Sequence, residues 1–312
     1  MKDIDKMLKE LDLQEACILA CSYATGKSAE AVSKVLSTYV SSPNFILAFE
    51  SNPILDAILA FEVGVSFGKR FAPKSSPTPA ALSVFRDLLD APEMVVIPSG
   101  EFKMGGDHRA NEAPIHHVQI KTFAIGKTQV TQAQWIAVMG KNPSHFKSAE
   151  TANHPVENIS WDDTQEYIQK LNSLTGQTYR LPSESEWEYA CRAGTLGKWS
   201  CGNDAILLSD YAWLHTNSNN STHPVGKKKP NAFWLFDMNG NVFEWCQDAW
   251  SKNYEKAPAD GSANEQGDNV RRVLRGGCWS SSEINLHSAN RSNNGRQYRK
   301  NYAGFRLARM LP

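Results

Sequence analysis

The side chains in this chain best suited to chemistry are its six cysteines and eight histidines. Thiolates and imidazoles are the ligands that hold zinc, copper and iron. Their spacing builds no such site. Cys17, Cys21, Cys191, Cys201, Cys246 and Cys278 form no cluster with histidine. Cys17 and Cys21 lie four apart in a helical pattern, share one face and read as buried thiols. Among the histidines only His116 and His117 are close, and adjacent residues of a strand point to opposite faces. "ATGKS" at Ala24 to Ser28 has the end of a phosphate loop, but Cys21 stands where the loop needs its first glycine. The acids of "SWDD" sit in the first turn of a helix, not as an acid–base pair.

What remains is the last segment, "RGGCWSSSEINLHSANRSNNGRQYRKNYAGFRLAR", from Arg275 to Arg309. Its ends have the texture of a packed fold and its middle is Ser, Asn, Arg and Tyr. Tyrosine gives broad contact at low rotamer cost, while Ser and Asn give adaptable hydrogen bonds. The candidate ligand-binding residues are Cys278, Trp279, Ser280, Ser281, Ser282, Ile284, Asn285, His287, Ser292, Asn293, Asn294, Gly295, Tyr298, Asn301 and Tyr302. Trp279, Phe305 and glycines form the expected frame. Arg291, Arg296 and Arg299 are candidate anchors for an acidic partner.

The elements that position this segment divide in two. Residues 1–91 read as a small all-helical unit. Amphipathic stretches end at Gly26, begin at Ser28 and Pro53, and a fourth spans "SPTPAALSVFRDLLDAP". Ala91-Pro92 marks the expected boundary. From Met94 the pattern alternates and breaks at glycine, as strands do. Helices are expected from Thr131 to Gly140 and from Ser160 to Gly176. Ser183 with Glu186 makes a capping box for a third. After Gly194 about a hundred residues show little periodicity and only short strand candidates. Such long irregular stretches tend to carry function.

Ordered motifs carry a resemblance. "IPSGEFKMGG", "NEAPIHHVQIKTFAIGKTQVTQAQW", "HPVENISWDDTQEYIQKLN", "YRLPSESEWEYACRAG", "NAFWLFDMNGNVFEWCQD", "RVLRGGCW" and "AGFRLAR" follow one another at family spacing. Residues 93–312 thus resemble the formylglycine-generating, sulfatase-modifying-factor family. The resemblance implies an α+β fold of the C-type lectin type with much irregular structure. It also implies a copper-binding cysteine pair, but Ser281 and Leu286 stand at those two positions. Neither binds Cu(I) as a thiolate does, so no copper is expected. Relatives that bind iron through a helical module's histidines find no match, because residues 1–90 contain no histidine. Family members hold a structural calcium near an Asn-x-x-Glu, which assigns Asn241 and Glu244 as candidate ligands, completed by backbone carbonyls. Five tryptophans, Trp161, Trp187, Trp234, Trp245 and Trp279, read as core of this domain.

The last segment is also similar to that of variable proteins from diversity-generating retroelements. The frame Arg275-Gly276-Gly277, Trp279, Ser288-Ala289-Asn290-Arg291 and Gly304-Phe305-Arg306-Leu307 is present. Adenine-directed mutagenesis rewrites asparagine codons in such segments. Ser, Ile, Gly, Tyr and Cys are reachable from those codons; Glu283, Gln297 and Lys300 are not.

The expectation is a non-catalytic ligand-binding protein, with residues 92–312 as the lectin-like domain and 278–303 as its variable surface. The alternatives are a metal-dependent oxidoreductase of the same family and a structural partner domain. The ligand is an unidentified protein or other macromolecule. Residues 1–91 are candidates for oligomerisation or effector coupling. Acids and bases balance at 33 each, which favours neither nucleic acid nor an anionic membrane. The start of the chain lacks the pattern of a secretory signal, and no apolar run spans a bilayer, so cytoplasmic residence is the expectation.

Overall fold

The structure, a computed structural model, describes residues 82–311. The chain divides into two units, Met1–Ala80 and Ala81–Pro312. The helices expected over 1–81 lie outside the described residues. One expectation is corrected at its described end. Where a fourth helix was expected up to Pro92, Val84–Phe85 is a strand, β1. It pairs antiparallel with Met94–Ile97, β2, so the second unit begins about where β1 does, not at 92. β-Branched and aromatic residues suit that pleated edge. Asp87, just after β1, receives Arg309 and the Tyr179 hydroxyl, which ties the segment to the end of the chain.

The fold is α+β. The next strands are Gly100–Met104 (β3), His116–Ile120 (β4) and Phe123–Gly126 (β5). Helices Gln132–Met139 (α1) and Trp161–Thr175 (α2) follow, then strand Tyr179–Arg180 (β6) and helix Glu184–Arg192 (α3). Helix Ala205–Tyr211 is α4. Strands Phe243–Trp250 (β7), Asp268–Arg275 (β8), Arg291–Gly295 (β9), Ala303–Gly304 (β10) and Ala308–Met310 (β11) complete the chain. One sheet runs β1-β2-β5-β11-β6, a second runs β10-β7-β8-β9, and β3 pairs with β4. Strand β11 therefore sits between β5 and β6, so the polar segment is held between β8 and a strand inside the first sheet.

The helix ends follow local chemistry. Thr131, Ser160 and Ser183 each accept from the third helical amide in a full capping box. Gly140 and Gly176 close α1 and α2 in the left-handed conformation. Helix α4 had no periodic signal; it is one short apolar turn pair capped by Asp204.

Between α4 and β7 the chain is irregular, and side-chain amides do the work of secondary structure. Gln129 Nε2 lies among the carbonyls of Asp237, Gly240 and Val242, 3.1–3.2 Å from each, and shares its two hydrogens among them and Glu244. Asn231 donates to Ala190 and Cys191. Buried backbone carbonyls without such donors would each be costly. Trp161, Trp187 and Trp245 are core residues as expected, whereas Trp234 is 52% exposed and Trp279 only half-buried. No helix among the described residues is long and apolar enough to cross a membrane.

A candidate ligand-binding face on a buried charged frame

The fixed residues of the C-terminal segment are anchored first. Gly276 and Gly277 both take positive φ, +92° and +74°. A Cβ on Gly276 would come within 3.0 Å of the Met238 carbonyl, so the turn after β8 needs glycine there. Arg275 is fully buried and donates to Glu184 at 3.1 Å, Glu188 at 2.5 Å and the Ser288 carbonyl at 2.6 Å. Burial pulls the Glu188 carboxyl up, but Arg275 and Arg192 outweigh it and hold it below its usual range. Arg291 forks onto both Glu184 oxygens at 2.7 and 2.8 Å. Arg306 forks onto both Glu244 oxygens at 2.6 and 2.8 Å. Each motif arginine is thus a buried clamp. The expected role of Arg291 as a surface anchor is corrected: its guanidinium is committed inside.

Arg296 and Arg299 are committed as well. Arg296 Nε donates to Asp162 at 2.7 Å, and Arg299 grips Asp163 through two bonds of 2.6 and 2.7 Å. The Lys300 carbonyl accepts from Asn158 at 2.9 Å. Residues 296–300 are clasped onto the start of α2, with the Arg296 and Arg299 side chains still partly exposed.

The two residues of the expected calcium pair both have protein partners. A carboxylate offers about four lone-pair directions. On Glu244 they meet Arg306 twice, Trp187 Nε1 at 2.7 Å and Gln129 at 3.0 Å. Asn241 has φ 61° and uses both ends of its amide on the backbone of His223, at 3.0 Å each. It closes a turn, and the two residues as arranged do not fit a calcium ion. The copper positions do not fit either. Ser281 Oγ accepts from the Cys278 amide, and Leu286 packs with Trp199, Leu208 and Leu214. Among the described residues no group of three or more His, Cys, Asp or Glu is placed to hold a metal.

The fifteen candidate ligand contacts separate into three sets. Cys278, Ser281 and His287 are buried, so they face inward rather than toward a partner. Asn285 is half-buried and accepts from Arg109 at 2.6 Å, and Ile284 beside it is exposed. The rest reach the surface. Ser280, Ser282 and Tyr298 are exposed; Trp279, Ser292, Asn293, Asn294, Gly295, Asn301 and Tyr302 are half-buried. Strand β9 is the edge of its sheet, so Ser292 to Gly295 have one unpaired backbone side. Tyr302 lies against Asn294 and Tyr298, and burial followed by Tyr298 pushes its hydroxyl pKa up.

Aromatic packing stiffens the floor of this face. Trp279 donates to the Asn301 carbonyl at 3.0 Å and meets Phe146 edge-on at 5.4 Å. Phe243 packs on Tyr302 at 6.1 Å. Sequence reading missed Phe146 and Phe243, which come from distant segments and carry no local signal. It also missed Glu157, which accepts from the Phe146 amide at 2.8 Å and whose burial pushes its pKa up to about 7.

Residues 81–311 match the sulfatase-modifying factor enzyme 1-like domain. The chain belongs to the sulfatase-modifying factor family. Among solved structures similar to this family member is PvdO from Pseudomonas aeruginosa. It is 34% identical with a TM-score of 0.67, covering 73% of this chain and 98% of PvdO. Treponema denticola variable protein 1 is 29% identical with a TM-score of 0.68, covering 74% and 99%. A sequence relative, the serine/threonine-protein kinase pkn1 of Chlamydia pneumoniae, is 28% identical over 329 residues. That match takes in 97% of this chain but 48% of the kinase, so the chain spans about half the length of that relative. In the sulfatase-modifying factor domain here, Ser281 and Leu286 stand at the two positions where the resemblance implied cysteines.

Proposed function

We propose that this family member is a non-catalytic binding protein, the variable protein of a diversity-generating retroelement. It displays an exchangeable surface made of Ser280, Ser282, Asn293, Asn294, Tyr298, Asn301 and Tyr302. One observation carries the reading: within a single segment, frame and surface separate by burial. Arg275, Leu286, Arg291, Phe305 and Arg306 are buried, while Ser280, Ser282, Asn293, Asn294, Tyr298, Asn301 and Tyr302 between them reach solvent. A surface of that kind tolerates exchange because surface substitutions away from special features change stability little. The similarity to a variable protein of Treponema denticola supports the reading, and so do Ser281 and Leu286 in place of copper ligands. The ligand is a macromolecule large enough to cover an aromatic-floored face.

The test is a display library of the whole chain varied at Ser280, Ser282, Asn293, Asn294, Tyr298 and Asn301, selected against several unrelated proteins. Folded clones with different targets are the expected yield. A library that unfolds, or that never gives target-dependent binding, refutes the proposal.

A further inference from the structure

Four oxygens converge on one side-chain nitrogen at the start of β7. The carbonyls of Asp237, Gly240 and Val242 and Glu244 Oε1 lie 3.2, 3.2, 3.1 and 3.0 Å from Gln129 Nε2. All five of these residues are buried. The loop curls to bring its carbonyls together: Asp237, Gly240 and Asn241 take φ of 56°, 92° and 61°. For Asp237 and Asn241 that region is a costly one, so the convergence is held by the surrounding structure. Asp237 gives the cage its carbonyl, while its carboxyl accepts from the Gly226 amide at 2.8 Å. Asn241 stays outside, with its amide on His223.

Several oxygens around one point is the arrangement that holds a hard cation. Three features put the nitrogen in that place instead. The four distances match N–H···O bonds, about 2.7–3.2 Å, and exceed the roughly 2.3–2.6 Å of calcium ligands. The nitrogen must face inward, because turning the amide over would set Gln129 Oε1 among four other oxygens with no hydrogen between them. That oxygen is itself buried and has no hydrogen-bond partner among the described residues. Lastly, the carboxylate of the cage is already neutralised. Arg306 donates to both Glu244 oxygens, and its two terminal nitrogens reach the Gly126 and Phe236 carbonyls at 3.0 and 2.9 Å.

We propose that Gln129 stands in for a cation: its amide and the Arg306 guanidinium close the oxygen cage, and this part of the fold forms without calcium. Residue 129 is then the switch. A glutamate there adds a carboxylate that no guanidinium faces, and three carbonyls with two carboxylates need a cation between them. None of the residues proposed as the exchangeable surface takes part.

The test refolds the full chain and its Gln129→Glu variant in EDTA or in millimolar calcium, and follows thermal melts and bound calcium. The parent melts at the same temperature in both buffers. Gln129→Glu melts below the parent in EDTA, rises by about 5 °C or more in calcium, and holds more calcium per chain than the parent. If Gln129→Glu refolds in neither buffer, the Gln129 side-chain amide of the parent decides, read by nuclear magnetic resonance. Protons protected from solvent exchange and unmoved by calcium support the assignment. An amide that exchanges freely, or that shifts on adding calcium, contradicts it. A parent that melts higher in calcium than in EDTA, or a folded Gln129→Glu chain indifferent to calcium, overturns it.

Discussion

Arg275, Arg291 and Arg306 belong to three different motifs of the C-terminal segment, and all three end in buried carboxylates. Removing one partner of such a pair strands a charge in low dielectric, which costs about 3–5 kcal/mol. Glu244→Gln is therefore expected to lose stability on that order in urea unfolding, with the Arg306 side chain left unneutralised. Sequence reading took Arg291 for a surface anchor because its partner, Glu184, is 107 residues away. Glu244 was assigned to calcium through the family's Asn-x-x-Glu pattern, and its Arg306 partner lies 62 residues away. A second residue-scale expectation concerns pH. Burial raises Glu157 to about 7, Asp248 to about 7 and Asp237 to about 6. In the folded state these groups hold protons that the unfolded chain has already released, so stability falls as pH rises from about 4 to about 7. Glu157→Gln removes its share. Thermal melts are expected to show a flatter pH slope, with the variant gaining on the order of 1–3 kcal/mol over the parent at pH 8. An unchanged slope contradicts the assignment.

Edge strand β9 and the residues clasped onto α2 are the elements that carry the exposed polar side chains. Asn293→Ala, Asn294→Ala and Tyr298→Ala are expected to change unfolding free energy by no more than about 0.5 kcal/mol each. Asp163→Asn releases Arg299, an exposed grip worth about 0.2–1 kcal/mol. Its clearer signature is faster amide exchange over 296–302, with the exchange of β8 unchanged. The helix boundaries here were legible because capping boxes and terminal glycines are local: Thr131, Ser160 and Ser183 stand in sequence as they stand in the fold. Strand β1 and helix α4 were not, being too short for periodicity to register. The floor of the face, Phe146 and Phe243, was illegible because it is assembled by long-range packing.

Across the whole described unit, frame and surface are made by one chain end. Strand β11 lies between β5 and β6, so the last residues complete the sheet that the first residues begin. Truncation before Ala308 is expected to abolish cooperative unfolding of the unit rather than fray a tail, as read by circular dichroism and calorimetry. The family and its fold were legible from ordered motifs, since those motifs are the capping boxes, tight glycines and buried clamps that the fold requires. The identity of the partner was not, because a surface of Ser, Asn and Tyr specifies how contacts are made and not with what. The most direct test of the exchangeable surface is deep sequencing of the coding segment for residues 278–303 in independent isolates, with its flanking DNA. The expected result is a nearby near-copy and differences confined to its adenines, falling in the codons for Ser280, Ser282, Asn293, Asn294, Tyr298, Asn301 and Tyr302. Leu286, Arg291, Phe305 and Arg306 stay constant. A segment with no near-copy and no variation, or with variation spread equally over the buried residues, contradicts it.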